Sequence, residues 1–147
     1  MPVISVNIKR LDNNVELPRY AYPGDAGLDL RASKAVDIKP FQRVLIPTGL
    51  AIALPDGYAG FVQPRSGMAF KQGLSIVNTP GLIDSQYRGE LKIIAINLDP
   101  DEVIHIECGE RVAQLVIQQV PTVKLIEVDE LDDTERGIGG FGSSGVQ

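Results

Sequence analysis

The chain has little sulfur or imidazole chemistry to work with: of 147 residues, one is cysteine, Cys108, and one is histidine, His105. A lone thiol excludes an internal disulfide and suits a reducing compartment. One thiol and one imidazole also exclude a zinc centre of thiolate and imidazole ligands within a single chain. No apolar run approaches the roughly 20 residues that span a bilayer, and no basic-then-apolar leader opens the sequence. A cytoplasmic protein without a membrane partner is therefore expected. Basic residues are outnumbered as well, 14 Lys and Arg against 19 Asp and Glu, for a net charge of −5. A polyanion partner demands a basic face, so nucleic acid is not an expected partner, and an anionic small substrate would need local cations or a metal.

What is present is a succession of short β-rich runs bounded by Gly, Pro, Asn and Asp: Val3 to Ile8, Arg43 to Leu54, Gly60 to Gln63, Leu74 to Val77, Glu90 to Asn97, Arg111 to Val120 and Val123 to Val128. The pattern predicts an all-β fold of one domain. His105, in the run Val103 to Glu107, fits an ordinary strand position. Alternation puts Ala113, Leu115 and Ile117 on one face of a strand and Val112, Gln114 and Val116 on the other. Because the second face is only partly polar, an oligomer that half-buries it is expected.

One stretch breaks the strand pattern. Ser66 to Gly73 reads as one or two helical turns, with Ser66 as N-cap and Gly73 just past the end. Arg65 stands immediately before it, so a guanidinium, a hydroxyl and free backbone N–H groups converge in a candidate anion site. From Asn78 to Glu90, two strand-like runs joined by turn residues read as a hairpin. Its main chain and the Asn78 amide could pair the edge of a uracil-like base, and Asp84 and Tyr87 follow closely enough to line the same pocket.

The final residues, Arg136 to Gly145, form a glycine-rich arm around one ring, Phe141. So many glycines cost too much backbone entropy for a helix or strand interior, so the free arm is expected to be mobile. Its backbone N–H groups, the hydroxyls of Ser143 and Ser144, the Arg136 guanidinium and the ring suit the phosphates and base of a nucleotide.

Five ordered stretches, Pro23 to Leu30, Pro64 to Ala69, Gly81 to Glu90, Gly109 to Leu115 and the terminal arm, resemble the five motifs of the trimeric dUTP diphosphatases. The resemblance spans nearly the whole chain. It implies an all-β, jelly-roll-like sandwich or distorted barrel with one short helix, a homotrimer with active sites at subunit interfaces, and hydrolysis of dUTP to dUMP and pyrophosphate with Mg²⁺. On this pattern residues 1–128 are the β domain and residues 129–147 the flexible arm.

The resemblance assigns roles residue by residue. Asp84 matches the aspartate that activates water for attack on the α-phosphorus, and Tyr87 the ring under the deoxyribose. Asn78 with the main chain of Gly81, Leu82 and Ile83 matches the base-reading hairpin, and Lys92 a position that touches the nucleotide in some members. Arg65, Ser66, Gly67 and Gln114 match phosphate-binding residues, and Asp29 the acid that holds Mg²⁺ through water. From the arm, Arg136 matches the contact to the terminal phosphate, Phe141 the ring over uracil, and Gly142 and Ser143 the wrap around the triphosphate. Asp25 is expected to serve the turn at Gly24 instead. Departures from the family pattern are small, at Met68, Leu82 and Ser144. Two alternatives stand beside this reading, a dCTP deaminase or bifunctional deaminase/dUTPase, and a non-catalytic nucleotide-binding trimer. Against deamination, Leu91 to Ile96 supplies no obvious acid for the base pocket.

Overall fold

The computed structural model describes residues 2–145; of the arm, Val146 and Gln147 lie outside the described residues, as does Met1 of the β domain. The strands are β1 (Asn7–Arg10), β2 (Leu28–Arg31), β3 (Val36–Ile38), β4 (Arg43–Pro47), β5 (Leu50–Ala53), β6 (Tyr58–Gln63), β7 (Leu74–Ile76), β8 (Gly81–Ile83), β9 (Lys92–Asn97), β10 (Ile104–Ile106) and β11 (Arg111–Gln119), with one helix, α1 (Ser66–Gln72), between β6 and β7. Their pairings are antiparallel and make a four-stranded sheet in the order β2-β11-β6-β8, a three-stranded sheet β4-β9-β7, and the pairs β1-β5 and β3-β10. The fold is all-β as expected, and among the described residues the sheets stay open and no barrel closes. Among the described residues no helix is long and apolar enough to cross a membrane.

Alternation builds the core. In β9, Ile93, Ala95 and Asn97 point inward while Lys92, Ile94 and Ile96 are less covered, and Leu50 and Ile52 of β5 do the same. Leu30, Ile38, Ile46, Leu91, Ile106 and Val112 are almost wholly buried, each contributing about 1.5–3 kcal/mol of apolar transfer. In β11, Ala113 and Leu115 face the core as expected, but Val112 is buried too because the register shifts between Arg111 and Ala113, as a bulge re-aims a side chain. Two polar side chains are also buried. Asn97 donates to the carbonyls of Ile38 and Glu102, both at 2.8 Å, and accepts from the Asp99 N–H. The Thr48 hydroxyl donates to the Leu91 carbonyl at 2.6 Å. Fully partnered, they pin strands together without a desolvation penalty.

Several boundaries differ from expectation. The run Arg43 to Leu54 is two strands, β4 and β5, split by Thr48 and Gly49, the latter at φ 70°. The first strand starts at Asn7 rather than Val3. Val123 to Val128 forms no strand, and its apolar side chains are exposed, Leu125 at 89 %; β-propensity makes a strand only where a partner edge is offered. The short β2 and β3 escape a propensity reading because Asp29, Arg31 and Asp37 interrupt them. At Gly24 the turn is as expected: φ is 89°, the Asp25 N–H bonds the Tyr22 carbonyl, and the Asp25 carboxylate accepts from the Tyr22 N–H at 2.9 Å.

His105 does occupy a strand position, on β10 opposite Asp37 of β3. Its Nδ1 meets Asp37 and its Nε2 meets Glu107 Oε1 at 2.7 Å. The hydrogen bonds to Asp37 and then Glu107 raise its pKa above the usual histidine value. A raised folded-state pKa contributes stability that is complete below the unfolded value of about 6.5 and fades as pH climbs through the folded one. The thermal midpoint of the wild type should accordingly fall more steeply than that of His105→Gln as pH rises from about 6 through neutrality. Parallel curves for the two proteins would remove His105 from the pH dependence.

Candidate active site

The four-stranded sheet organises the site. Gln114 of β11 stands in register with Asp29 of β2 on one side and Gln63 of β6 on the other, so these three positions form a row across the sheet. Two residues beyond Gln63 comes Arg65, whose Nε lies 3.7 Å from Asp29 Oδ1. Arg111 Nη1 reaches Asp29 Oδ2 at 3.5 Å, and Arg65 Nη1 donates to the Arg111 carbonyl at 3.3 Å. Asp29 is thus held between two guanidiniums, with its side chain only 17 % exposed. The Gln114 amide is fixed by donating to the Pro64 carbonyl at 3.0 Å. Gly27 is what lets Gln114 lie there, since a Cβ at 27 would sit 2.7 Å from Gln114 Oε1.

Helix α1 begins one residue earlier than its capping pattern suggests. Arg65 holds the N-cap position with extended backbone (φ −88°, ψ 130°) and no side-chain cap bond, so Ser66 is the first helical residue rather than the cap. Ser66 and Gly67 are both exposed, and first-turn N–H groups have no partner within a helix. At the other end Gly73 caps in the left-handed region at φ 74°, as expected.

The other half of the site lies at the opposite edge of the same sheet. β8 pairs with β6 through Gly60↔Ile83, Phe61↔Leu82 and Val62↔Gly81. The expected hairpin is therefore not one: β8 takes its partner from β6, a turn closes with the Tyr87 N–H on the Asp84 carbonyl at 3.1 Å, and the returning chain enters β9 in the other sheet. Leu82, Ile83, Asp84, Tyr87, Glu90 and Lys92 line a cleft of about 210 Å³. The Asn78 amide lies over Gly81, its Nδ2 3.5 Å from where a Cβ would be. Asp84 is exposed. The Tyr87 hydroxyl donates to the Glu90 carbonyl at 2.8 Å, and Glu90 Oε2 accepts from the Gly49 N–H at 3.1 Å.

The expected residues thus fall into two groups on one sheet, Asp29, Arg65 and Gln114 at one end of β6, and the β8 cleft with Asp84 and Tyr87 at its flank. Among the described residues the arm joins neither. Arg136 Nε donates to the Gly139 carbonyl at 2.7 Å, Ser143 N–H to the Gly140 carbonyl, and Phe141, at φ 49°, is fully exposed. Arg111 and Glu90 were not singled out from the sequence. The usable signal for Arg111 was its place in the stretch Gly109 to Leu115, three residues before Gln114.

A model of the dUTPase family matches residues 13–145. The chain belongs to the dUTPase family. It is 55 % identical over 142 residues to the deoxyuridine 5′-triphosphate nucleotidohydrolase of Rhodococcus erythropolis, covering 97 % of this chain and 87 % of the relative. Among solved structures, the dUTPase of Staphylococcus bacteriophage 80alpha with dUPNHPP superposes with a TM-score of 0.90 at 33 % identity, over 98 % of this chain and all of that one. A mutant dUTPase from phage phi11 of S. aureus, described with a structural Mg(II) ion, gives 0.80 at 28 % identity, over 86 % and 98 %. For this dUTPase family member, no group of three His, Cys, Asp or Glu side chains among the described residues is disposed to hold a metal ion. Asp29, already beside two arginines, suits only an ion whose ligands are mostly water and substrate phosphate.

Proposed function

We propose that this chain hydrolyses dUTP to dUMP and pyrophosphate as a cytoplasmic homotrimer, each site pooling residues from neighbouring subunits. The observation that carries the reading is the pairing of two chemistries on one sheet of a dUTPase-family chain: a phosphate-suited cluster of Arg65, Arg111 and Gln114 around Asp29, and a small cleft carrying Asp84 and Tyr87. The exposure of Asp84 within one subunit and the separation of its cleft from the Asp29 row both favour completion of the site by a second chain.

In this reading the N–H and C=O groups of Gly81, Leu82 and Ile83, with the Asn78 amide, pair the uracil edge, Lys92 borders the nucleotide, and the Tyr87 ring packs under the deoxyribose. Arg65, the Ser66 hydroxyl, the Gly67 N–H and Gln114 hold the phosphates. Arg111 joins them through its contact with Asp29. Asp29 would hold Mg²⁺ through water, and the ion would supply neutralisation of the charge on the leaving pyrophosphate. Asp84 orients a water on the far side of the α-phosphorus and takes its proton. The water oxygen bonds phosphorus while the bond to the α,β-bridging oxygen breaks, and that oxygen leaves with the electron pair as part of pyrophosphate. A carboxylate is a weak base, so placement and charge neutralisation supply most of the acceleration. Residues 1–128 form the catalytic body, and the arm from residue 129 brings Arg136, Phe141, Gly142 and Ser143 over the bound triphosphate and excludes water.

A pyrophosphate-release assay with Mg²⁺ across dUTP, dCTP, dTTP and UTP tests this directly, with turnover expected for dUTP and at least ~10²-fold less for the others. Ammonia release from dCTP would replace the reading with a deaminase. Glu90, the second acid lining the cleft beside Asp84, argues against that, because its Oε2 already accepts from the Gly49 N–H.

A further inference from the structure

Of the glycines, Gly89 leaves the least room beside a site residue. A Cβ at position 89 would lie 2.5 Å from the Tyr87 hydroxyl oxygen, 2.6 Å from Cζ and 2.9 Å from Cε1. Carbon atoms do not approach so closely, so any side chain at 89 must push the ring away. The ring is held in place through its hydroxyl. Its hydroxyl donates to the Glu90 carbonyl at 2.8 Å, and Glu90 is itself anchored, its carboxylate accepting from the N–H of Gly49 between β4 and β5 at 3.1 Å. The adjoining backbone is fixed by the Leu91 N–H on the Leu50 carbonyl at 2.8 Å and the Thr48 N–H on the Leu91 carbonyl at 3.2 Å. Tyr87 is 44 % exposed, so burial alone does not hold the ring in one rotamer.

We infer that Gly89 is a positioning residue for sugar selection, its missing side chain leaving the space into which the hydroxyl end of Tyr87 packs, and that the Glu90–Gly49 contact braces this seat. The inference rests on the reading that Tyr87 meets the deoxyribose. A wall rejects a 2′-hydroxyl by shape only while it cannot retreat. With Gly89, the ring is tied by its hydroxyl to the main chain of Glu90. With alanine there, the ring must leave that carbonyl, and the wall can yield to the extra oxygen of a ribose.

The test compares kcat/KM for dUTP and UTP in wild type, Gly89→Ala, Tyr87→Phe and Tyr87→Ala, with melting curves to establish folding. Gly89→Ala should lower the dUTP/UTP ratio by roughly 10- to 100-fold, through a raised KM for dUTP and a gain toward UTP, with kcat for dUTP changed much less. Tyr87→Phe keeps the ring but frees it from the Glu90 carbonyl, and should lower the ratio in the same direction by a smaller factor. It carries the test alone if Gly89→Ala does not fold. Should Tyr87→Ala relax selection while a folded Gly89→Ala, or failing that Tyr87→Phe, selects as wild type does, the positioning role is overturned and the sugar reading survives. If Tyr87→Ala itself selects normally, the sugar reading fails and the inference with it.

Discussion

Asp84→Asn should bind dUTP with an affinity within a few-fold of wild type and turn it over about 10²–10⁴-fold more slowly, the usual contribution of a positioned base. The substitution preserves shape and an acceptor oxygen but cannot take the proton of the attacking water. Asp84 is exposed within a subunit, so its replacement removes no core contact and the melting temperature should stay unchanged. The loss corresponds to about 2.7–5.4 kcal/mol of activation free energy. Single-turnover kinetics beside calorimetric binding separate the two effects, and near-wild-type turnover in the variant would defeat the assignment of Asp84 as the base.

Ending the chain after Glu135 should leave assembly and melting temperature intact while kcat/KM for dUTP drops by ~10³-fold or more. From Pro121 to Ile138 every residue is exposed, and the hydrogen bonds of Arg136, Gly139 and Ser143 stay within the arm, so the body loses no packing. On the proposed closure of the arm, what is lost is the Arg136 guanidinium from the phosphates, a class of contact worth 10³–10⁵ in phosphoryl transfer, and the ring of Phe141, worth about 1–3 kcal/mol if it stacks on the base. Sedimentation velocity and pyrophosphate release on the same preparation give both readouts. An unchanged rate would mean the arm takes no part in the reaction.

The all-β class and most strands were legible because alternation and turn residues report burial directly: β6, β7, β9 and β11 lie within a residue or two of where the pattern puts them. Misreadings cluster where the deciding interaction is distant. Glu90 looks like the end of a hairpin, but β8 pairs with β6, which precedes the helix. Val123 to Val128 has strand composition and no edge to join. Ser66 has capping chemistry, yet the extended backbone at Arg65 starts the helix one residue earlier. For the site, residue types and spacing nominate Arg65, Asp84 and Tyr87, and the resemblance to the dUTP diphosphatases adds Asp29 and Gln114. The convergence of Arg65 and Arg111 on Asp29 needs the β2-β11 register, and the close fit of Gly89 under Tyr87 needs coordinates.

The exposed run after β11 sets a tether rather than a surface. From Gln119 to Arg136 is 17 residues, for which a flexible coil has a root-mean-square span of roughly 20–25 Å. The local concentration of the guanidinium at its target then depends on contour length only weakly, a doubling costing about 0.6 kcal/mol. On the proposed closure of the arm, insertions and deletions in this run should accumulate almost neutrally over evolutionary time, while the register of the glycines beyond it should be constrained by the triphosphate they wrap.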